Sequence, residues 1–482
     1  MADVKKNFFY NSLLTVANYL FPLITYPYVS RVLGVENIGI VNYVDSMVNY
    51  FLQFSMLGIS IVGIREIAAC RDDRHARDGV FSSLLSLNAI TTLIAAVALL
   101  VFMFTAPSAA QYRVLLGIGV MKLLSTFLCV DWMFPGLENF KYITIRSLIV
   151  RTVYVVCVFL FIRTPDDYPV YYALLTLPIL ANAVINLTFV RRYVSFIPGR
   201  IEWRRFLAPY LMMGLYCILS SFYTSFNVVY LGSVSDNVQV GYYSSAAKIF
   251  FLIIALFSAF TSVMMPRMSA VLSEGKMEEF SHSVHETLRF LTCLGIPLIL
   301  FIEVESPDII HLISGPGYEG AVTPLRIVAP LILIIGMEQV FVIQSMMPMK
   351  MDREVFINSI IGAAFGLLFN IILVRRFLSI GSAVVWLSCE IIVLILSIYA
   401  TQKRISIRVS VRTILIEVLK YIPLVGMLVL LFQCLSGHPV VRFLVQAALS
   451  AIYFIVLNCV ILKETIFISL VHKLFPGMIR RS

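Results

Sequence analysis

The chain has 482 residues, of which 60% are hydrophobic and 13% are charged, whereas a soluble protein has roughly 45–50% apolar and 25% charged residues. A soluble fold cannot bury that much apolar surface, so the composition excludes an ordinary globular enzyme and predicts a membrane protein. The eight cysteines are scattered singly, and neither a disulfide framework nor a zinc site is expected. The net charge of +10 leaves nucleic acid open as a partner until the positions of the charges are considered.

Apolar segments follow one another along the whole chain, each about the 20 residues that a membrane-spanning helix needs. The predicted spans lie near 8–30, 38–63, 80–105, 112–133, 142–162, 169–190, 206–231, 239–265, 287–303, 324–347, 355–374, 380–400, 412–434 and 439–462. The predicted fold class is therefore all-α, a polytopic transmembrane helical bundle of about 14 helices. The connections are short and leave no room for a soluble catalytic domain.

The basic residues are divided unequally between the two sides of the predicted membrane. With the N-terminus in the cytoplasm, 26 of the 37 Lys and Arg residues fall in cytoplasmic segments, seven on the outer side and four within spans. Arg146 is counted with the cytoplasmic residues and Arg442 with the outer ones. Cytoplasmic loops of membrane proteins carry such an excess, so both termini are predicted to be cytoplasmic. Membrane topology explains the net charge, and no nucleic-acid partner is expected.

Two similar corners between spans, about 200 residues apart, indicate an internal repeat. The matching residues are Leu33, Gly34, Gly39 and Tyr43 after the first span, and Leu231, Gly232, Gly241 and Tyr243 after the seventh. An even number of spans separates the corners, which predicts parallel repeats, as in many transporters. The predicted division is an N-terminal six-helix lobe over 1–200, a C-terminal six-helix lobe over 201–405, and two additional helices with a cytoplasmic tail over 406–482.

Polar side chains form stripes along the first two spans. Their positions are Asn7, Asn11, Thr15 and Asn18 in the first span, and Asn42, Asp45, Asn49 and Gln53 in the second. Spacings of three and four residues place each set on one helix face. Polar residues within a bilayer usually face a bundle interior or a wet cavity. The stripes therefore line a cavity or hold the bundle together by interhelical hydrogen bonds.

Ionisable residues within the spans are basic early in the chain and acidic late. Lys122, Arg151 and Lys248 are the basic residues, and Glu338 and Glu390 lie in the tenth and twelfth spans. A basic cavity suits an anionic head group such as a pyrophosphate, and an acidic site suits a coupling proton or cation. The alternative is that these charges pair with one another as structural salt bridges.

Two other charged positions have a purely structural interpretation beside a functional one. Arg31 lies at the outer end of the first span, where an arginine either reaches towards lipid head groups or serves a binding site. Glu417 and Lys420 are three residues apart on one helix, which predicts a local ion pair.

Sequence signatures of catalysis are missing from the chain. We find no phosphate-binding Gly-Lys-Ser loop, no His-Glu-x-x-His and no nucleophile elbow. His282 and His285, with Glu278 and Glu286, have the spacing of an exposed helix face rather than of a dedicated metal site. We therefore expect a protein that is not an enzyme, with no cofactor and no metal.

Several motifs resemble those of Wzx-type polysaccharide flippases in the multidrug/oligosaccharidyl-lipid/polysaccharide (MOP) exporter superfamily. The matching residues are Asn11, Pro27 to Gly34, Gly39, Gly58, Gly63, Arg65, Glu66, Asp131 to Tyr142, Tyr230 to Gly232, Gly241 to Tyr243, Ala247, Lys248, Pro266 to Ser269, and Gly315 to Tyr318. The likeness covers about residues 7–400. Pro135 stands where the family commonly has glutamine, so no role is transferred to that position.

The resemblance implies two pseudo-symmetric bundles around a central cavity, in a bacterial inner membrane. It implies a substrate that is an undecaprenyl-pyrophosphate-linked oligosaccharide, the repeat unit of an O-antigen, capsule or exopolysaccharide. The substrate would move from the cytoplasmic to the periplasmic leaflet by alternating access, driven by an ion gradient of protons or sodium or by the membrane potential. The expected partners are this lipid-linked oligosaccharide, membrane lipids and a polysaccharide polymerase.

Together, the polar pattern and the resemblance predict site residues with distinct roles. Arg31 and Lys248 are predicted to attract the anionic head group. Asn18, Asn42, Asp45 and Asn49 are predicted to line the sugar path. Glu338 and Glu390 are the candidates for ion coupling.

Three other functions compete with this hypothesis. A multidrug or metabolite cation antiporter of the same superfamily would share the fold, but a cationic cargo would favour an acidic first half, where Lys122 and Arg151 oppose Asp45. A membrane polysaccharide polymerase or ligase would be expected to carry larger outer loops. A structural partner in an assembly complex would have little need of buried charges.

Overall fold

The computed structural model describes residues 2–197, 201–224, 226–405, 411–434 and 439–462. Helix dominates these residues, and no strand occurs among them. The backbone groups of a membrane-spanning chain must all be paired internally, which helices achieve within each segment. The predicted all-α transmembrane fold is confirmed. The chain forms two compact units, residues 1–245 with 359–389, and residues 246–358 with 390–482.

The first unit contains the helices of the N-terminal half and parts of three later ones. Its helices are α1 (Ala2–Met56), α2 (Ile59–Ala69), α3 (Arg74–Thr105), α4 (Arg113–Cys129), α5 (Met133–Gly136), α6 (Phe140–Phe161), α7 (Tyr168–Val190), α8 (Trp203–Thr224), α9 (Phe226–Val234) and the first part of α10 (Asn237–Ser273). Within this unit α4 packs against α7, and α1 packs against α3, α4 and α6.

The second unit is built around one long helix. Its helices are the rest of α10, α11 (Met277–Ile313), α12 (Val322–Val328), α13 (Leu331–Gln339), the start of α14 (Asp352–Phe369), the end of α15 (Arg375–Gln402), α16 (Val411–Cys434) and α17 (Pro439–Ile455). The remainder of α14 and α15 belongs to the first unit. Helix α11 packs against α13, α16 and α17, so the two C-terminal helices are part of the second unit's core.

Eleven helical stretches of the described residues are long and apolar enough to cross a membrane. Two of them, Leu13–Ala69 with 57 residues and Asp352–Gln402 with 51, are more than twice the roughly 20 residues of one crossing. Each contains a break, at Gly34 and at Leu378 respectively, so each supplies two crossings. With α8, 22 residues long, the arrangement agrees with about fourteen predicted spans.

The predicted loop between the first two spans is reduced to one residue. Gly34 has φ 76° and ψ 170°, a conformation that glycine adopts without the steric penalty of a side chain. The chain is helical on both sides of it and turns sharply at this point. The second half of α1, residues 35–56, therefore begins at a fixed position and carries the polar stripe that was predicted for the second span.

The two corners that suggested an internal repeat pack against each other within the first unit. A Cβ atom on Gly39 would lie 1.8 Å from the carbonyl oxygen of Asn237, and one on Gly241 would lie 2.3 Å from that of Val35. Glycine is required at both positions because no larger residue fits between the two backbones. Nearby, the hydroxyl groups of Tyr26 and Ser245 form a hydrogen bond of 2.6 Å.

Candidate functional site

The polar stripe of α1 forms the centre of the candidate site in the first unit. Asn42, Asp45, Asn49 and Gln53 repeat every three or four residues on one face of residues 35–56, and each is half-buried or has a buried polar atom. Helix α4 crosses this face and brings in Lys122, which is 77 residues away from Asp45 in sequence. Long-range packing thus adds a cation to the stripe.

Lys122, Asp45 and Asn49 form a closed hydrogen-bonded triad. The Lys122 Nζ donates to Asp45 Oδ1 at 2.6 Å and to Asn49 Oδ1 at 2.9 Å. Asn49 Nδ2 donates in turn to Asp45 Oδ2 at 3.2 Å. The side chains of Lys122 and Asp45 are 11% and 28% exposed, so water screens this pair only in part. Lys122 thus forms a salt bridge, but its partner is Asp45 of the stripe and not one of the acidic residues late in the chain.

Both ends of the stripe keep polar atoms that the protein itself does not use. The Asn42 Nδ2 donor and the Gln53 Oε1 acceptor are buried and have no hydrogen-bond partner among the described residues. An unpaired buried polar group costs about 1–3 kcal/mol, and a polar ligand or water can remove that cost. Donors and acceptors on one helix face are able to hydrogen-bond a polar ligand such as a sugar.

The predicted residues of the first span, Asn18 and Arg31, do not belong to the triad. Asn18 is exposed. Arg31 is also exposed, and its Nη1 donates to the carbonyl oxygen of Pro27 on its own helix. The structure does not bring Arg31 or Asn18 to the triad, and their predicted roles stay predictions.

The remaining predicted residues lie in the second unit. Lys248 is half-buried on α10. The carboxyl groups of Glu338, on α13, and Glu390, on α15, interact directly with each other, and Glu390 is only 3% exposed. Two carboxylates in contact repel each other unless a proton or a cation lies between them. The pair therefore has the chemistry of a cation or proton site, although its two members lie 52 positions apart in sequence.

A buried polar network that the sequence analysis missed joins three helices of the first unit. Arg146 is 5% exposed, and its Nη2 donates to Asp131 Oδ1 at 3.0 Å. Asn186 accepts from Arg146 Nη1 and donates to Asp131 Oδ1 at 2.9 Å and to the carbonyl oxygen of Cys129. Arg146 had been counted among the basic residues of a cytoplasmic segment. The signal that could have revealed the network is Asp131, an acidic residue within the predicted span 112–133.

An apolar groove of about 250 Å³ lies on the second unit between α11, α16 and α17. Its lining residues, apart from one serine, are apolar: Leu294, Pro297, Leu298, Phe301, Leu424, Ala447, Ser450, Ala451 and Phe454. The two C-terminal helices supply more than half of this wall. A groove of this composition fits a hydrocarbon chain and offers nothing to a sugar or phosphate.

The C-terminal helices carry two ion pairs, one between helices and one within a helix. Arg442, on α17, donates from Nε to Asp308 Oδ2 at 2.6 Å and from Nη2 to Oδ1, a bidentate arrangement with α11. On α16, Lys420 Nζ donates to Glu417 Oε1, so the predicted local pair is confirmed. Arg442 had been predicted as an outer loop residue, and its partner on another helix could not be predicted.

Two family models match the chain. The model described as polysaccharide biosynthesis protein matches residues 4–272, and the MatE model matches residues 213–372. A protein of Escherichia coli (strain K12) named "Putative O-antigen transporter" is 25% identical over 394 residues, which are 81% of this chain and 95% of that protein. One of the same name from Shigella dysenteriae is 23% identical over 291 residues, 58% of this chain and 69% of that protein.

Solved structures of transporters share the fold. The lipid II flippase MurJ in an inward closed conformation superposes with a TM-score of 0.78 at 16% identity, over 94% of this chain and 99% of that one. An inward-facing multidrug resistance MATE family transporter of the MOP superfamily gives a TM-score of 0.65 at 18% identity, over 80% and 94%. At these identities the likeness shows a common fold.

Proposed function

The chain belongs to the polysaccharide biosynthesis protein family, and from this membership we propose that it is a flippase for a lipid-linked oligosaccharide. It moves the oligosaccharide from the cytoplasmic to the periplasmic leaflet of a bacterial inner membrane, with both of its own termini in the cytoplasm. The observation that carries the proposal is the polar stripe on one face of α1, in which Asn42 and Gln53 have buried polar atoms without a hydrogen-bond partner among the described residues. The names of the O-antigen transporter relatives support the class of substrate.

The stripe provides the path for the sugar. Because Lys122 neutralises Asp45, the centre of the stripe is polar without a large net charge. A neutral or weakly charged oligosaccharide gains hydrogen bonds there, whereas a stripe with an unpaired charge would hold ions instead. Asn18, an exposed residue in the first half of α1, extends the same path, and the Asp45–Asn49 hydrogen bond holds both side chains in position.

The other parts of the substrate have separate binding surfaces. A part of the undecaprenyl chain lies in the apolar groove of α11, α16 and α17, where Phe301 and Phe454 contact it. The anionic pyrophosphate is attracted by Arg31 and Lys248. Separation of polar and apolar surfaces is what an amphipathic substrate requires, since its hydrocarbon tail stays in the bilayer while its head crosses.

The Glu338–Glu390 pair couples translocation to an ion gradient. A proton or sodium ion that binds between the two carboxyl groups removes their mutual repulsion, and its release restores it. A ligand shifts a conformational equilibrium only through its different affinity for the two states. We expect the contact between the corners at Gly39 and Gly241, in the first unit, to open and close during alternating access. A polysaccharide polymerase would take up the product.

Translocation in liposomes tests the proposal. The purified chain is reconstituted with an undecaprenyl-pyrophosphate-linked oligosaccharide that carries a fluorophore on its sugar, and a membrane-impermeant quencher reports the leaflet. Asn42→Ala combined with Gln53→Ala removes polar atoms without breaking an internal hydrogen bond, so the fold should persist. We expect about a thirtyfold slower translocation, from two lost hydrogen bonds of about 1 kcal/mol each.

The matched control is Thr152→Ala, which removes an exposed hydroxyl group of α6 and should leave the rate unchanged. Wild-type liposomes that translocate no faster than empty ones would refute the proposal. A double variant that translocates as fast as the wild type would show that the stripe does not line the substrate path.

A cation antiporter is the second candidate, favoured by the MatE match and by the acidic Glu338–Glu390 pair. The same liposomes distinguish it, because a fluorescent organic cation would be driven across by a proton or sodium gradient. Transport of the cation without translocation of the lipid-linked sugar would establish this alternative.

A further inference from the structure

We propose that a groove between α6 and α7 of the first unit binds one anionic phospholipid of the surrounding bilayer. The groove has a volume of about 510 Å³. It is separate from the polar stripe of α1 and from the apolar groove of the second unit, and neither the sugar path nor the coupling pair uses its residues. Binding of a phospholipid in this groove does not require the proposed transport activity.

The groove changes from polar to apolar along its length on both walls. On α6, Lys141, Ile145 and Ile149 follow one another every four residues and therefore share one helix face. Helix α7 and the turn after it run in the opposite direction, and there Ile185 and Phe189 lead to Tyr193. The polar ends of the two walls thus meet at one end of the helix pair, and the isoleucines meet at the other.

The polar end offers hydrogen-bond donors suited to a phosphate. Lys141 is exposed at the first turn of α6. Asn139 Nδ2 donates to the Tyr193 hydroxyl oxygen at 3.0 Å, which leaves the hydroxyl proton free to point towards a ligand. A lysine with a tyrosine hydroxyl is a donor set for a single phosphodiester, and under the predicted topology this end faces the cytoplasmic leaflet.

The base of the groove is rigid. The rings of Tyr142 and Phe189 stack with centroids 3.9 Å apart and an interplanar angle of 12°. The guanidinium of Arg146 lies 5.5 Å from the centre of the Tyr142 ring and is held by the ion pair with Asp131. A surface that is already ordered loses little conformational entropy when a ligand binds.

The apolar end fits one acyl chain. Ile145, Ile149 and Ile185 are 43%, 60% and 38% exposed, so they face the bilayer. From Lys141 to Ile149 the helix rises about 12 Å, which corresponds to the upper part of a single lipid chain. Because the charged end and the hydrocarbon face are this close together, the occupant is a bilayer phospholipid with its phosphate at the interface.

Lipid binding to the full chain tests the inference. The detergent-purified protein is titrated with phosphatidylglycerol or phosphatidylcholine of identical acyl chains, and bound lipid is counted by native mass spectrometry. We expect phosphatidylglycerol to bind more tightly, and Lys141→Ala to weaken it about fivefold, the effect of one lysine on an anionic lipid near the surface. Ile149→Trp, which fills the apolar end, should displace the lipid while leaving Lys141 in place.

Arg163→Ala is the matched control, since Arg163 is an exposed cation that follows the other end of α6. It should leave binding unchanged. Equal affinity for the two phospholipids, or the same loss with Arg163→Ala as with Lys141→Ala, would overturn the inference. Competition by undecaprenyl pyrophosphate that displaces phosphatidylglycerol from this groove at lower concentration would also overturn it and assign the groove to the substrate.

Discussion

Lys122 on α4 and Asp45 on α1 form an ion pair of 2.6 Å inside the first unit, with Asn49 bonded to both. Removing one member of such a pair leaves an uncompensated charge in a poorly hydrated place, which costs about 3 kcal/mol or more. We therefore predict that Lys122→Ala and Asp45→Ala each lower the midpoint of thermal unfolding in detergent.

The double variant Lys122→Ala/Asp45→Ala separates a charge effect from a packing effect. It removes both charges, so its loss of stability should be smaller than the sum of the two single losses. A double variant whose loss equals that sum would show that the two side chains stabilise the unit independently.

The polar stripe was predictable because the spacing of Asn42, Asp45, Asn49 and Gln53 follows the helix period. The partner of Asp45 was not predictable, since Lys122 is distant in sequence and the packing of α4 on α1 decides which residues meet. The same reason applies to Glu338 and Glu390, which the sequence named as coupling candidates without predicting that their carboxyl groups interact directly.

The membrane helices and the family resemblance were also predictable, because apolar length and local motifs are properties of short segments. The family model confirms the resemblance. Arg146 shows the limit of this approach: it was placed with the cytoplasmic residues, and the structure buries it against Asp131 and Asn186. For a charged residue near the end of a span, tertiary packing decides whether the side chain is exposed to solvent or buried in the core.

Glycine at the corner contact should be essential for transport. Gly39→Ala and Gly241→Ala would place methyl groups 1.8 Å and 2.3 Å from backbone carbonyl oxygens, so the two corners must move apart. We predict at least a tenfold lower translocation rate for each variant in the liposome assay.

Gly117→Ala is the control for that experiment, because a Cβ atom at Gly117 meets nothing within 4 Å. Alanine also favours a helix over glycine by about 1 kcal/mol, so this variant should be active and no less stable. Normal translocation by Gly39→Ala would show that transport does not require close contact between the two corners.

Arg442 should anchor α17 to α11. Arg442 pairs with Asp308 through two hydrogen bonds and also lies near Glu305. Glu305 is fully buried, and its two carboxyl oxygens have no hydrogen-bond partner among the described residues. Arg442→Ala would leave Asp308 and Glu305 together without a cation. We predict a loss of about 3 kcal/mol, measured as a lower midpoint of thermal unfolding.

Adding Asp308→Ala to Arg442→Ala should recover part of that stability, since it removes one of the two remaining carboxylates. Arg404→Ala serves as the comparison, because Arg404 forms an exposed pair with Glu354 at 3.4 Å and exposed pairs contribute at most about 1 kcal/mol. Equal effects of Arg442→Ala and Arg404→Ala would contradict an anchoring role.

The Glu338–Glu390 pair should determine how transport depends on the ion gradient. Glu338→Gln and Glu390→Gln keep the shape of each side chain while removing its capacity to bind a proton or cation, and they also remove the repulsion between two carboxylates. We predict that both variants fold normally and still bind lipid-linked oligosaccharide, while their translocation no longer accelerates when a proton or sodium gradient is applied. Glu354→Gln, which changes a half-buried acid of the same unit away from the pair, should respond to the gradient as the wild type does. A gradient response retained by Glu338→Gln and Glu390→Gln alike would exclude the pair from coupling and leave the membrane potential, acting on the charge of the substrate, as the driving force.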